Sequence, residues 1–122
     1  MINIVMRTRY HKFDLELDES PIADALYLSL PLTKEINVWG GEIYFEVPVS
    51  MEVRGTKRVM ERGEVAYWPE GNALCIFFDR TPVSKGTAPE AFNQVVPLGK
   101  VLGDLTTLSD LADRTEVTLD HH

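Results

Sequence analysis

The 122 residues contain one cysteine, Cys75, so no intrachain disulfide can form and no thiolate cluster can gather around a metal. Cys75 lies inside an apolar run, which reads as a small buried hydrophobe rather than a reactive thiol. Histidine is also scarce, with His11 alone inside the chain and His121 and His122 at its end. Two adjacent histidines at a terminus do not make a structured site, so neither a metal nor another cofactor is expected. Positive charge is in deficit, twelve Lys and Arg against nineteen Asp and Glu, and a net charge of −7 opposes binding to nucleic acid. Arg54, Lys57, Arg58 and Arg62 do cluster, but Glu52, Glu61 and Glu64 interleave them, as in a solvated loop. No apolar run approaches the length of a membrane span, and Arg7, Arg9, His11 and Lys12 interrupt the N-terminus before a signal-peptide core can form. A cytoplasmic protein away from membranes is the resulting expectation. Nucleophile–base constellations and phosphate-cradling glycine loops are missing as well.

What is present is strand patterning in a chain of single-domain size. Ile2, Ile4 and Met6 alternate with less apolar neighbours. Phe13, Leu15 and Leu17 interleave with Asp14, Glu16 and Asp18, one apolar face against one acidic face. The polar stretch Arg7–Lys12 suits the hairpin connection between them. Ser20-Pro21 reads as an N-cap followed by proline at the first helical position, and Ile22, Leu26 and Leu30 share a helix face that ends at Pro31. One short helix of two to three turns is expected there.

Strands resume at Ile36 and Val38 and reach a bend at Trp39-Gly40-Gly41. Ile43, Phe45 and Val47 then face one way and Glu42, Tyr44 and Glu46 the other, with Pro48 ending the strand or marking an edge. Met51–Glu64 reads as a loop or a loosely paired ribbon. Tyr67 and Trp68 occupy opposite faces of the next strand. Pro69-Glu70-Gly71-Asn72 is a turn, and Ala73–Phe78 is apolar on both faces, as in a strand covered on both sides. Asp79–Phe92 reads as a surface loop. Gln94–Val101 is a strand in which Pro97 and Gly99 require a bulge or an edge. A short helical turn at Leu105, Leu108 and Leu111 precedes a closing strand, Thr115–Leu119. About eight strands with one or two short helices favour a closed barrel, with a sandwich as the alternative.

Two motifs, Trp39-Gly40-Gly41-Glu42-Ile43-Tyr44-Phe45 and Gly63–Pro69 continuing through Gly71–Phe78 to Thr81-Pro82, resemble those of small prokaryotic cyclophilin-like proteins. The order of elements extends the resemblance over nearly the whole chain. It implies a closed barrel of eight mostly antiparallel strands with helices plugging its ends, and no settled activity. Similar barrels occur in subunits of amide-hydrolysing enzymes, which makes an accessory subunit with a protein partner one reading. Prolyl isomerisation is another, although the Phe-His-Arg segment of true cyclophilins is missing and Arg54, Arg58, Arg62 and Arg80 have no matching context. Asp79, in place of a common glycine, and Glu70, in place of a common proline, depart from the pattern at a loop rim.

The interior of a small barrel is packed with side chains, so a ligand site belongs on its outside or at a mouth. Trp39, Glu42, Tyr44 and Trp68 are the candidate ligand-binding residues there, with aromatic walls supplying apolar area and the phenol and carboxylate fixing orientation. Tyr67, Phe78 and Arg80 are weaker candidates. Each has a structural reading beside the functional one: the tryptophans as turn anchors, the tyrosines as strand residues, Phe77 and Phe78 as core, Glu42 as a solvated strand edge, and Arg80 as half of a surface ion pair. The expected partner is a small molecule or short peptide.

Overall fold

The computed structural model describes residues 1–122 and contains ten strands, one α-helix and one 3-10 turn. The alternating segments form a hairpin of β1 (Ile2–Arg7) and β2 (Lys12–Leu17), in register at Ile4 with Leu15 and Met6 with Phe13. Thr8 closes its turn: the backbone N–H donates to the His11 carbonyl at 2.8 Å, and Oγ1 accepts from the His11 N–H at 3.0 Å. Helix α1 (Pro21–Leu28) starts where the cap signal places it, with Ser20 Oγ accepting from Ala23 N–H at 3.3 Å. It ends before Leu30, and Ile22, Ala23 and Leu26 carry its face into the core.

Next come β3 (Leu32–Glu35), β4 (Asn37–Trp39), β5 (Glu42–Glu46), β6 (Lys57–Val59), β7 (Glu64–Trp68), β8 (Ala73–Phe77), β9 (Glu90–Leu102) and β10 (Glu116–His121), with the 3-10 turn at Thr106–Asp110. The sheet order is β3-β10-β1-β2-β9-β7-β8-β5-β4, with β6 added beside β9. This corrects the expectation of a closed eight-stranded barrel. There are ten strands, and the ladder has two ends, β3 and β4, which do not pair with each other. Ile36 alone joins them along the chain. Its N–H donates to the Thr115 carbonyl and its carbonyl accepts from Arg114 N–H, both at 2.9 Å. One extended segment is therefore split where its partner changes from β10 to β5.

Strand β9 also differs from expectation. It begins at Glu90, inside the segment read as a loop, runs for 13 residues, and lies between β2 and β7 rather than at an edge. Pro97 is accommodated by a register shift opposite Val65 and Ala66. At Gly99 a Cβ would collide with the backbone carbonyl of Glu16, so the close approach of β2 to β9 requires glycine. The charged stretch before β7 is the loosely paired ribbon, as β6 bonds to β9.

The parity of these strands creates two apolar layers. Ile43, Phe45, Val65, Tyr67, Leu74 and Ile76 point inward and join a core of 25 buried residues. Ala66, Cys75 and Phe77 point outward, where Met60, just past β6, and Ala91 and Val95 from β9 cover them in a second cluster of six. All five residues of β8 are buried because both faces are covered. Along the rim of the second layer lies a cavity.

Candidate functional site

The hairpin β4–β5 places Trp39 opposite Glu42, and the β5–β8 ladder sets Glu42 against Phe77 and Tyr44 against Cys75, all on the outer face. On β7, Trp68 shares this face. The tight Trp39–Glu42 connection depends on its glycines. Gly40 has φ +56°, in the left-handed region, and a Cβ on Gly41 would strike the Asp79 backbone. Gly41 N–H donates to the Arg80 carbonyl at 2.8 Å, and its carbonyl accepts from Phe78 N–H at 2.8 Å.

These elements bring Trp39, Glu42, Tyr44 and Trp68 onto one cavity of about 210 Å³. Four further residues complete its wall, Ala91, Phe92, Asn93 and Val95, all from the first half of β9. Two perpendicular aromatic pairs frame it. The Tyr44 and Trp68 rings lie 6.1 Å apart at 88°, and the Trp39 and Phe92 rings do the same. Phe92 is 67% exposed, an apolar ring held at the rim by Trp39 rather than by the core.

Glu42 is not the solvated edge residue that the alternation alone allows. It points outward, but the second layer leaves it 6% exposed. Burial raises its pKa from 4.5 to about 7, and a hydrogen bond from the Cys75 thiol offsets only part of that rise. Cys75 is fully buried, and burial first, then the neighbouring Glu42 charge and hydrogen bond, push its thiol well above the usual range. That matches the reading of Cys75 as an unreactive buried residue. Trp68 Nε1 is buried and has no hydrogen-bond partner.

The three weaker candidates fall outside the cavity. Tyr67 is 1% exposed in the inner core, where its hydroxyl donates to the Val49 carbonyl at 2.8 Å and lies 3.1 Å from Asn72 Oδ1. Its parity, opposite to that of Trp68, takes it away. Phe78 follows the end of β8 and packs partly buried against the inner core. Arg80 is exposed, its Nη2 donating to the Ser84 carbonyl at 3.2 Å. Of the two departures from the family pattern, Asp79 accepts from Arg80 N–H at 2.8 Å and pairs with Arg62 at 2.9 Å. Glu70 reaches the site, because its carboxylate accepts from Asn93 Nδ2 at 2.8 Å.

The β9 wall lies partly in the segment that the sequence presents as a surface loop. Its signal is the spacing of Ala91, Asn93 and Val95 by two, which puts them on one strand face, but the prolines and glycine before them mask it.

The cyclophilin-like family model matches residues 1–120, and the chain belongs to that family. A hypothetical protein from Archaeoglobus fulgidus, known as a solution structure, is similar to it at 31% identity and a TM-score of 0.85. The match covers 99% of this chain and 95% of that one. No curated protein matches.

Proposed function

We propose that this cyclophilin-like domain binds a small molecule, or one side chain of a short peptide, in the outer-face cavity. One observation carries the reading: residues from four different strands converge on a single concavity lined largely by apolar groups and holding one buried carboxyl. Apolar walls supply contact area, while Glu42, Tyr44 and Asn93 supply orientation. The volume suits a compact ligand, since an engineered cavity of about 150 Å³ takes up benzene.

The test is a panel of metabolites and short peptides titrated against the labelled protein, following the indole N–H signals of Trp39 and Trp68 and the backbone signals of Ala91, Asn93 and Val95. Saturable shifts confined to these residues are expected for at least one compound. Silence at all of them across a chemically broad panel would remove the reading. Proline-containing peptides in the panel also report on isomerisation, through exchange between their cis and trans signals. That uncatalysed barrier is about 18–20 kcal/mol, so even weak catalysis would be visible. Every charged lining group is accounted for by Glu42, so an arginine-dependent isomerase mechanism has no counterpart in the cavity wall.

A further inference from the structure

The composition of the cavity discriminates among ligand charges. The rings of Trp39, Tyr44, Trp68 and Phe92 border it, Glu42 is its only carboxyl, and no lining residue carries positive charge. An anion would meet a carboxylate together with the negative faces of the rings. A purely apolar ligand would seal the carboxyl away with one thiol as its sole donor. A cation with an apolar surface suits both the ring faces and the carboxylate.

Resting on the reading of this cavity as a ligand site, we propose that it takes the head group of an organic monocation, an alkylated ammonium of the kind carried by choline or by a trimethylated lysine side chain. A quaternary head has no N–H to satisfy, so it asks for aromatic rings and a counter-charge, and four rings and one carboxyl line this wall. A bare divalent metal ion wants six or more oxygen ligands and would find one carboxylate among aromatic rings. At longer range, the net charge of −7 attracts cations.

The groups around Glu42 are consistent with this assignment. Cys75 on β8 donates to it, Tyr44 lies two residues along its own strand, and β4 and β7 present the uncharged Trp39 and Trp68. From β9 come Ala91, Phe92, Asn93 and Val95, with the Glu70 carboxylate behind Asn93 as a second negative group at the rim. Arg58 lies beside the β9 wall. Its Nε donates to the Ala91 carbonyl at 3.2 Å and its Nη2 lies 3.4 Å from Glu90, so its charge is engaged outside the cavity wall. Glu42 ionises at about 7, so binding of a cation should strengthen from about pH 6 to about pH 8 as the carboxylate forms.

The deciding comparison uses choline and its neutral carbon isostere, in which a quaternary carbon replaces the nitrogen. Both are titrated against the wild-type protein and against Glu42→Gln, with the Trp39 and Trp68 indole signals as the readout. Peptides carrying lysine or trimethyllysine, titrated in parallel, separate a free metabolite from a protein side chain as the source of the head group. The expected result is saturable shifts from choline or from the trimethyllysine peptide, with the isostere at least about tenfold weaker. Glu42→Gln should weaken the cation about tenfold, affect the isostere far less and abolish the rise with pH. Equal binding by choline and its isostere would overturn the cation assignment while leaving the cavity a ligand site. Silence from choline and both peptides would overturn it as well, and the broader panel would then decide separately whether the cavity binds anything. Undiminished choline binding by a folded Glu42→Gln protein would also refute it.

Discussion

Glu42 and Cys75 stand diagonally across the β5–β8 ladder on its outer face, and the Cys75 thiol donates a hydrogen bond to the Glu42 carboxyl. A thiol is a weak donor, so burial dominates and the carboxyl is held neutral up to about pH 7. The sign of the resulting pH dependence is fixed. Below about pH 4.5 Glu42 is protonated in both folded and unfolded chains, and its folded environment carries no penalty. As pH rises towards about 7 the unfolded chain ionises first, so this contribution to stability is progressively lost and then levels off. The interval from 4.5 to about 7 corresponds to roughly 3 kcal/mol. In urea denaturation, Glu42→Gln should match the wild type near about pH 4 and exceed it by up to about 3 kcal/mol near about pH 8. A difference that stays constant across that range would show that the carboxyl is not buried in its neutral form.

Tyr67 neighbours Trp68 in sequence but belongs to the inner core, so the two should respond oppositely to substitution. Tyr67→Phe keeps the ring and deletes the hydroxyl that serves the buried Val49 carbonyl. Leaving that acceptor unpaired should cost about 1–3 kcal/mol, seen as a lower urea midpoint with an unchanged slope. Ligand-induced shifts at the Trp39 and Trp68 indoles should persist in the variant. Loss of those shifts from a folded Tyr67→Phe protein would mean that the inner and outer layers are not separate.

The sequence made this division readable wherever alternation was uninterrupted. Ile43, Phe45 and Val47 against Glu42, Tyr44 and Glu46 assign faces directly, because a strand has period two. The double-faced apolar run at Ala73–Phe77 likewise announces a strand covered on both sides. Three features were not readable, each for a physical reason. The cover over the outer face comes from Met60, which follows β6, and from the start of β9, and the non-local pairing of β6 with β9 leaves no local trace beyond a three-residue strand. The burial of Glu42 follows from that cover, so alternation gave its direction but not its environment. The split at Ile36 depends on which strand each half bonds, and patterning does not encode partners.

The Trp39-Gly40-Gly41 bend gives a third test. Gly41 packs directly on the Asp79 backbone, whereas nothing lies close to the position a Cβ would take at Gly86. Gly41→Ala must push the β4–β5 hairpin away from the segment after β8, at a cost of about 1–3 kcal/mol or more, and should displace Trp39 from the cavity. Gly86→Ala should remain within about 0.5 kcal/mol of the wild type. Thermal unfolding of both variants, with the Trp39 indole shift as a local probe, checks the contrast. Equal and small effects would show that the hairpin is loosely held.

Phe92 offers the cleanest separation of binding from stability. It is 67% exposed, makes a perpendicular contact with Trp39 at 6.1 Å, and contributes to neither buried cluster. Truncating it therefore removes little buried area, and Phe92→Ala should change the unfolding free energy by no more than about 0.5 kcal/mol. At the cavity rim the same ring supplies one aromatic face, worth about 0.5–1 kcal/mol to a cationic ligand at an exposed position. Choline affinity should accordingly fall about two- to fivefold in Phe92→Ala, whereas Phe92→Tyr, which keeps an aromatic face, should restore it. If affinity is unchanged in both variants, the binding face lies deeper, on Tyr44 and Trp68. If Phe92→Ala unfolds the protein, the ring is structural and its exposure misleading.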